Sequence, residues 1–308
     1  MLADTLTKIR TDLALEARNM VTEENGKIKG IRVTEETIAG EDINIIKMDV
    51  LNKYGAEAIG KPVGTYITME TPNLSKEDDG YHSEISMALS EQLKMLITRA
   101  FHWNTETPSV LIAGLGNRDA TPDALGPKTV SNLMITRHIV EYMGYEEVEG
   151  AFAVTSAISP GVMAQTGIDT GEILQALIKK IKPDILVTVD ALAARNASRL
   201  NSTIQITDTG IHPGSGVGNN RCAITKKTMG IPVIAIGVPT VVDATSMILD
   251  SLRDESGECN KVIPEYLKQF YVTSKDIDAI IKRVSYTLSE GINHCMGLAV
   301  KKGVVHIQ

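Results

Sequence analysis

From about residue 107 onward, apolar runs of strand length alternate with longer amphipathic segments, and this alternation constrains the fold more than any other feature of the chain. The runs "SVLIAGLG" (109–116), "GAFAVTSAIS" (150–159), "DILVTVDAL" (184–192) and "PVIAIGVPT" (232–240) are continuous, rich in Val and Ile, and bounded by Gly or Pro, as buried strands are. Between the first three lie "DALGPKTVSNLMITRHIVEYMG" (123–144) and "GEILQALIKKIK" (171–182), where apolar residues recur at three and four and Gly144 or Pro183 supplies a stop. A βαβαβ rhythm of this kind predicts an α/β protein with a mostly parallel sheet and helices on both faces.

The first hundred residues follow a different pattern. "INIIKMDVL" (43–51) and "GTYITMET" (64–71) are candidate strands separated by the polar, turn-rich "NKYGAEAIGKPV" (52–63), and "YHSEISMALSEQLKMLITRAFH" (81–102) has the spacing of one long amphipathic helix. No Pro/Gly/Ser linker divides this part from the rest, so it is expected to be an added amino-terminal layer on the same sheet within a single domain. "RDESGECNK" (253–261) is expected to be an exposed loop.

Composition excludes several function classes. A formal net charge of −7 and a pI near 5.5 give no long-range attraction for a polyanion, so direct nucleic-acid binding is not expected. Aromatic residues are 4% of the chain, with Trp103 the single tryptophan, too few for a base-stacking platform. Cys222, Cys259 and Cys295 are odd in number and lack C-x-x-C spacing, which indicates neither a zinc cage nor a disulfide framework and fits a reducing compartment. No apolar h-region and no stretch of about 18 apolar residues occurs, so a cytoplasmic protein without a membrane span is expected.

In an open parallel sheet, functional groups gather in loops at the carboxyl ends of the strands. Asp123 falls in the loop leaving the first run, and Asp190 ends "DILVTVD". For Asp123 the structural alternative is helix capping, with Thr121 as N-cap, Pro122 at N1 and an early carboxylate favouring the dipole. Asp190 directly after "LVTV" would be partly desolvated, an unfavourable place unless the group is paired, hydrogen-bonded or used. Two such carboxylates could share a proton as acid and base, or ligate a metal that activates water, and the spacing leaves both open.

Asp119 is a third acid in the same loop. It stands where the dinucleotide fingerprint G-x-G-x-x-G needs its third glycine, after Gly114 and Gly116, so a pyrophosphate would meet a like charge. The stretch "TDTGIHPGSGVGNNR" (207–221) is glycine-rich enough for its N–H groups, those of Gly214 and Gly216 among them, to form an oxyanion nest. His212 within it is a candidate ligand or proton carrier, against the plainer reading of a loop histidine. Ser215 lies in G-S-G-V-G, not in a G-x-S-x-G elbow, and Asp243 is read as an N-cap for "ATSMILDSL" (244–252).

Taken in order, "IRTDLALEAR" (9–18), "METPNL" (69–74), "GLGNRDATPDALGPK" (114–128), "SPGVMAQTGIDTGEI" (159–173), "PDILVTVDALAAR" (183–195), "STIQITDTGIHPGSGVGN" (202–219) and "GVPTVVDA" (237–244) resemble the germination proteases of spore-forming Firmicutes. The resemblance implies an endopeptidase that degrades the small acid-soluble proteins coating spore DNA, made as a self-processing zymogen, assembled as a homotetramer and working in the cytoplasm of the forespore and spore core. It implies residues 1–8 as a short propeptide and 9–308 as one peptidase domain, similar in fold to hydrogenase-maturation endopeptidases. The family's catalytic aspartates correspond to Asp123 and Asp190, with no cofactor, and Asp119, His212, Gly214 and Gly216 are supporting candidates. A divalent metal on Asp123, Asp190 and His212 is the rival mechanism, and a non-catalytic binding module is the rival class.

Overall fold

The apolar runs become the parallel half of one sheet. In the computed structural model, which describes residues 12–25, 28–38, 41–78, 82–101, 108–144, 152–213, 222–252, 264, 266–267 and 270–297, the four runs form β4 (Ser109–Gly114), β5 (Val154–Ile158), β6 (Ile185–Ala194) and β8 (Val233–Asp243). Three more strands, β1 (Ile31–Ile38), β2 (Ile43–Val50) and β3 (Gly64–Glu70), come from the amino-terminal part, and β7 (Thr203–Thr207) and the short β9 (Tyr271–Val272) complete the sheet. The order is β1-β2-β3-β7-β8-β6-β4-β5, with β9 paired to the far end of β8.

The α/β architecture is as expected, but the sheet is mixed. Pairings β4·β5, β4·β6 and β6·β8 are parallel, whereas β1·β2, β2·β3, β3·β7, β7·β8 and β8·β9 are antiparallel. Between β1 and β2 the few connecting residues permit only an antiparallel return. The amino-terminal strands therefore extend the sheet sideways through β7 and do not lie over it.

Side-chain alternation divides the core between two faces. On one face Val110, Ile112, Val187, Ile206 and Ile236 pack with Leu89, Leu93, Leu96 and Ile97 of α3 (Ser83–Ala100) and Ile281, Val284, Leu288 and Ile292 of α10 (Ile277–Cys295). On the other, Leu111, Ala113 and Leu186 meet Leu174 and Ile178 of α7 (Thr170–Ile181). Each face of the central strands is thus covered by helix, which is why those strands read as unbroken apolar runs.

Three local readings change. The polar segment 52–63 contains helix α2 (Lys53–Ile59), opened by Asn52, whose side chain accepts from the Gly55 N–H, and closed by Gly60 at φ 64°. The amphipathic stretch 123–144 is two short helices, α4 (Leu125–Ser131) and α5 (Arg137–Met143), because Thr136 between them bonds the Ala153 carbonyl and the Thr155 N–H and ties the chain to β5. β1, β7 and α10 were not among the expected elements. The predicted loop 253–261 lies outside the described residues, as do Trp103 and Cys259.

α4 sits hard against the end of β4. A Cβ on Gly126 would meet Leu115 main-chain atoms and the Val189 carbonyl closer than 3.0 Å, contact that only backbone movement relieves. Gly126→Ala is therefore expected to lower stability by about 1–3 kcal/mol through overpacking, read from the midpoint of urea unfolding.

Candidate active site

Unequal strand lengths create the site. β4 stops at Gly114, opposite Val189 of β6, while β6 runs on to Ala194 and β8 to Asp243. Asp190 is consequently not at a strand end, as the sequence suggested. It is an interior residue of β6 paired with Gly237 of β8, and the strand that ends beside it is β4. The apolar "ALAA" after Asp190 continues to pair, and that pairing carries the strand through the carboxylate. Asp190 is 6% exposed, and its Oδ1 accepts from the Ala191 N–H at 2.9 Å.

Asp123 closes a 3₁₀ turn, Thr121–Asp123, in the loop that leaves β4. The capping alternative does not hold, because α4 begins at Leu125 with Ala124 as an N-cap that offers no side-chain bond, and Thr121 Oγ1 instead donates to Asp278 Oδ1 at 2.8 Å. Asp123 Oδ2 turns back to accept the Asn117 N–H at 2.8 Å. Gly116, at φ 109°, lies so close to the Asp123 carbonyl that no side chain fits there, and this is what the second glycine of "GLGN" is for.

The structure brings Asp123, Asp190 and His212 to one cavity of about 310 Å³. His212 is exposed. Asp119 does not line this cavity: it is exposed and accepts from Gln165 Nε2 at 3.0 Å, beside the bond from Gln165 to Asn117 Oδ1 at 2.9 Å. Gly214 and Gly216, and Ser215 between them, lie outside the described residues. Asp243 is the N-cap expected of it, accepting the Ser246 N–H at 2.8 Å at the start of α9 (Ala244–Leu252).

The donor set for a metal was tested on the same geometry. Among the described residues, the three His, Cys, Asp or Glu side chains whose ligand atoms lie within 4.8 Å of one another are Asp78, His82 and Glu84. Asp123, Asp190 and His212 share a cavity but are not such a group. His82, in turn, is occupied by the Lys76 carbonyl at 3.0 Å and by Asp78 at 3.4 Å.

Asp12, Lys61 and Gln205 are among the cavity residues that escaped the sequence reading. Gln205 left a faint signal, an amide in the middle of "TIQIT", where it is 7% exposed. Lys61 left none, since a lysine in a polar segment looks solvated. Burial pushes the Lys61 amine down from its usual 10.5, against the attraction of the Asp12 and Glu16 carboxylates. Glu16 anchors the amino-terminal helix α1 (Ala14–Asn25) beside the cavity, accepting the Arg195 and Asn196 N–H groups at 2.9 and 3.0 Å, with Arg199 Nε 3.8 Å away.

Comparison with known proteins gives a consistent result. A family model described as germination protease matches residues 10–255. The germination protease of Clostridium acetobutylicum is 42% identical over 94% of this chain and 95% of its own length. That of Priestia megaterium is 45% identical over 79% of this chain and 66% of its own. Among solved structures, a [NiFe] hydrogenase maturation protease from Thermococcus kodakarensis overlays with a TM-score of 0.36 at 18% identity, covering 66% of this chain and 97% of that one.

Two outcomes follow from the anchoring of residues 12–17. Glu16→Ala leaves the Arg195 and Asn196 N–H groups without their acceptor, while Arg199 keeps Glu70, and should raise amide exchange across 14–17 at least tenfold, a loss of roughly 1–3 kcal/mol, measured by hydrogen exchange. Because the Lys61 amine is held below its unfolded value, the unfolded chain binds more protons in the window ending at 10.5, and stability rises with pH through it. Denaturant melts of Lys61→Met across that window should show the rise flattened.

Proposed function

Because the chain belongs to the germination protease family and is thereby a spore-germination endopeptidase, we propose that Asp123 and Asp190 carry its chemistry as an acid pair. The observation that supports this best is their shared cavity, one carboxylate on the loop where β4 ends and the other buried in β6 beside it. Family membership also sets aside the non-catalytic binding module.

In this reading one carboxylate is ionised and takes a proton from water as the oxygen attacks the carbonyl carbon. The other stays neutral, because two adjacent carboxylates do not both ionise readily, and it gives its proton to the amide nitrogen as the C–N bond breaks. The products are a carboxylic acid and an amine, which part as carboxylate and ammonium once the acid's proton passes to the amine, and the pair ends with its protons exchanged. Main-chain N–H groups of 214–218 are the proposed oxyanion donors. The substrates are the small acid-soluble proteins that coat spore DNA, and the enzyme works in the cytoplasm of the forespore and spore core as a homotetramer.

Self-processing is part of the same proposal. Asp12, at the start of the described chain, lines the cavity together with Asp123 and Asp190, which supports this reading. Residues 1–8, the proposed propeptide, fall outside the described residues.

Cleavage of a purified small acid-soluble spore protein tests the reading. Asp123→Asn and Asp190→Asn, each folded, should lose about 10²–10⁴ in kcat, and near-full activity in both would end the acid-pair proposal. Exhaustive chelation should leave the wild-type rate unchanged, and a loss restored by one divalent metal would transfer the chemistry to the metal.

A further inference from the structure

A stretch of main chain is already held in the cavity, and the groups that hold it have no role in the acid pair. The Asp12 carbonyl accepts from Lys61 Nζ at 3.0 Å and from Gln205 Nε2 at 3.3 Å. Two residues on, the Ala14 N–H donates to Gln205 Oε1 at 2.6 Å. In extended chain, the C=O of one residue and the N–H of the residue two further on point the same way, so one carboxamide satisfies both, as a neighbouring strand's peptide group would. On the opposite side, the Asp12 N–H donates to the Ala193 carbonyl at 3.2 Å, and the Ala193 N–H donates to Asp12 Oδ2 at 2.9 Å, at the point where β6 changes register against β8.

Sheet register links this clamp to the acid pair. Asp190 pairs with Gly237, and Gly237 pairs with Gln205, so the three form one row across β6, β8 and β7 with their side-chain positions on a common face. The middle position has no side chain of its own and is covered by that of Leu192, and Gln205 lies two strand spacings, about 10 Å, from Asp190. A peptide held by Gln205 therefore passes along the face that carries the buried carboxylate.

We infer that Gln205 and Lys61 form the substrate's main-chain clamp: an extended polypeptide lies on the course that Asp12–Ala14 takes, with Gln205 reading a C=O and the N–H two residues on, and Lys61 supplying the second donor. This rests on the peptidase reading of the cavity. The contacts read the backbone and not the side chain, so the class of ligand is an extended, locally unfolded chain. The interior of a helix uses its own C=O and N–H groups and cannot engage the clamp, whereas Ala14 can because it is the first residue of α1, whose N–H has no partner within the helix. The amino-terminal segment and the substrate compete for the same groups.

The experiment measures kcat and KM of the full chain on an unfolded small acid-soluble spore protein for wild type, Gln205→Leu, Lys61→Met, Lys61→Arg and Asp190→Asn, with thermal melting as the check on folding. Gln205→Leu and Lys61→Met should lower kcat/KM by roughly ten- to a hundredfold, chiefly through KM, as loss of a hydrogen bond to a buried or charged partner does, while Lys61→Arg keeps most of the wild-type value. A merely structural Lys61 or Gln205 would lower the melting temperature without this KM effect. If Lys61→Met does not fold, Gln205→Leu decides. Wild-type cleavage lost in Asp190→Asn but kept within threefold in folded Gln205→Leu and Lys61→Met would overturn the clamp alone. No cleavage by wild type would overturn the peptidase reading on which the clamp rests.

Discussion

A carboxylate buried inside a β-strand costs several kcal/mol unless its surroundings compensate, and the rest of the site is arranged around that constraint at Asp190. A fully flanked strand could not accommodate it. β4 ends at Gly114, one register step before Asp190, so a cavity opens where the flanking strand is missing, while the Leu192 side chain covers Gly237, the partner of Asp190 in β8. The local N–H of Ala191 is recruited to the carboxylate as a donor. The loop that leaves β4 then has to turn sharply, and its glycines allow Asp123 to approach from the other side.

The mixed sheet contributes to the same end. Parallel strands with helix on both faces make a rigid base, with Val187 and Leu186 buried on opposite sides of β6. The antiparallel half brings a different kind of group to the cavity: β7, joined antiparallel to β8, carries Gln205 across Gly237 from Asp190. Lys61 arrives just before β3, the next strand out, at the end of the turn that follows α2. Neither group sits in the loops where an all-parallel sheet would keep its chemistry, and both are main-chain readers more than acid–base groups.

The amino-terminal chain is held by buried apolar side chains, Leu13, Ala14, Leu15 and Ala17 each being at most 5% exposed, and by buried polar contacts. Leu13 packs with Leu192 and Ala194, but Glu16, Gln205 and the Ala193 peptide supply most of the named bonds to residues 12–16. Polar anchoring of this kind is strong while every partner is present and weak once one leaves.

Much of this was legible in the residues themselves. Continuous Val/Ile runs bounded by Gly and Pro can only be strands buried on both faces, and so the α/β class and the four parallel strands followed from sequence. Asp123 and Asp190 stood out because a carboxylate after an apolar run demands an explanation. What remained hidden depends on partners distant in sequence. That Asp190 lies within a strand is decided by β8 pairing past the end of β4, that Asp119 is turned away is decided by Gln165, and that Lys61 is a cavity residue is decided by a packing contact with Asp12 some fifty residues away. Local periodicity determines what a segment becomes, whereas register and strand length, set only when the sheet closes, decide which side chains meet.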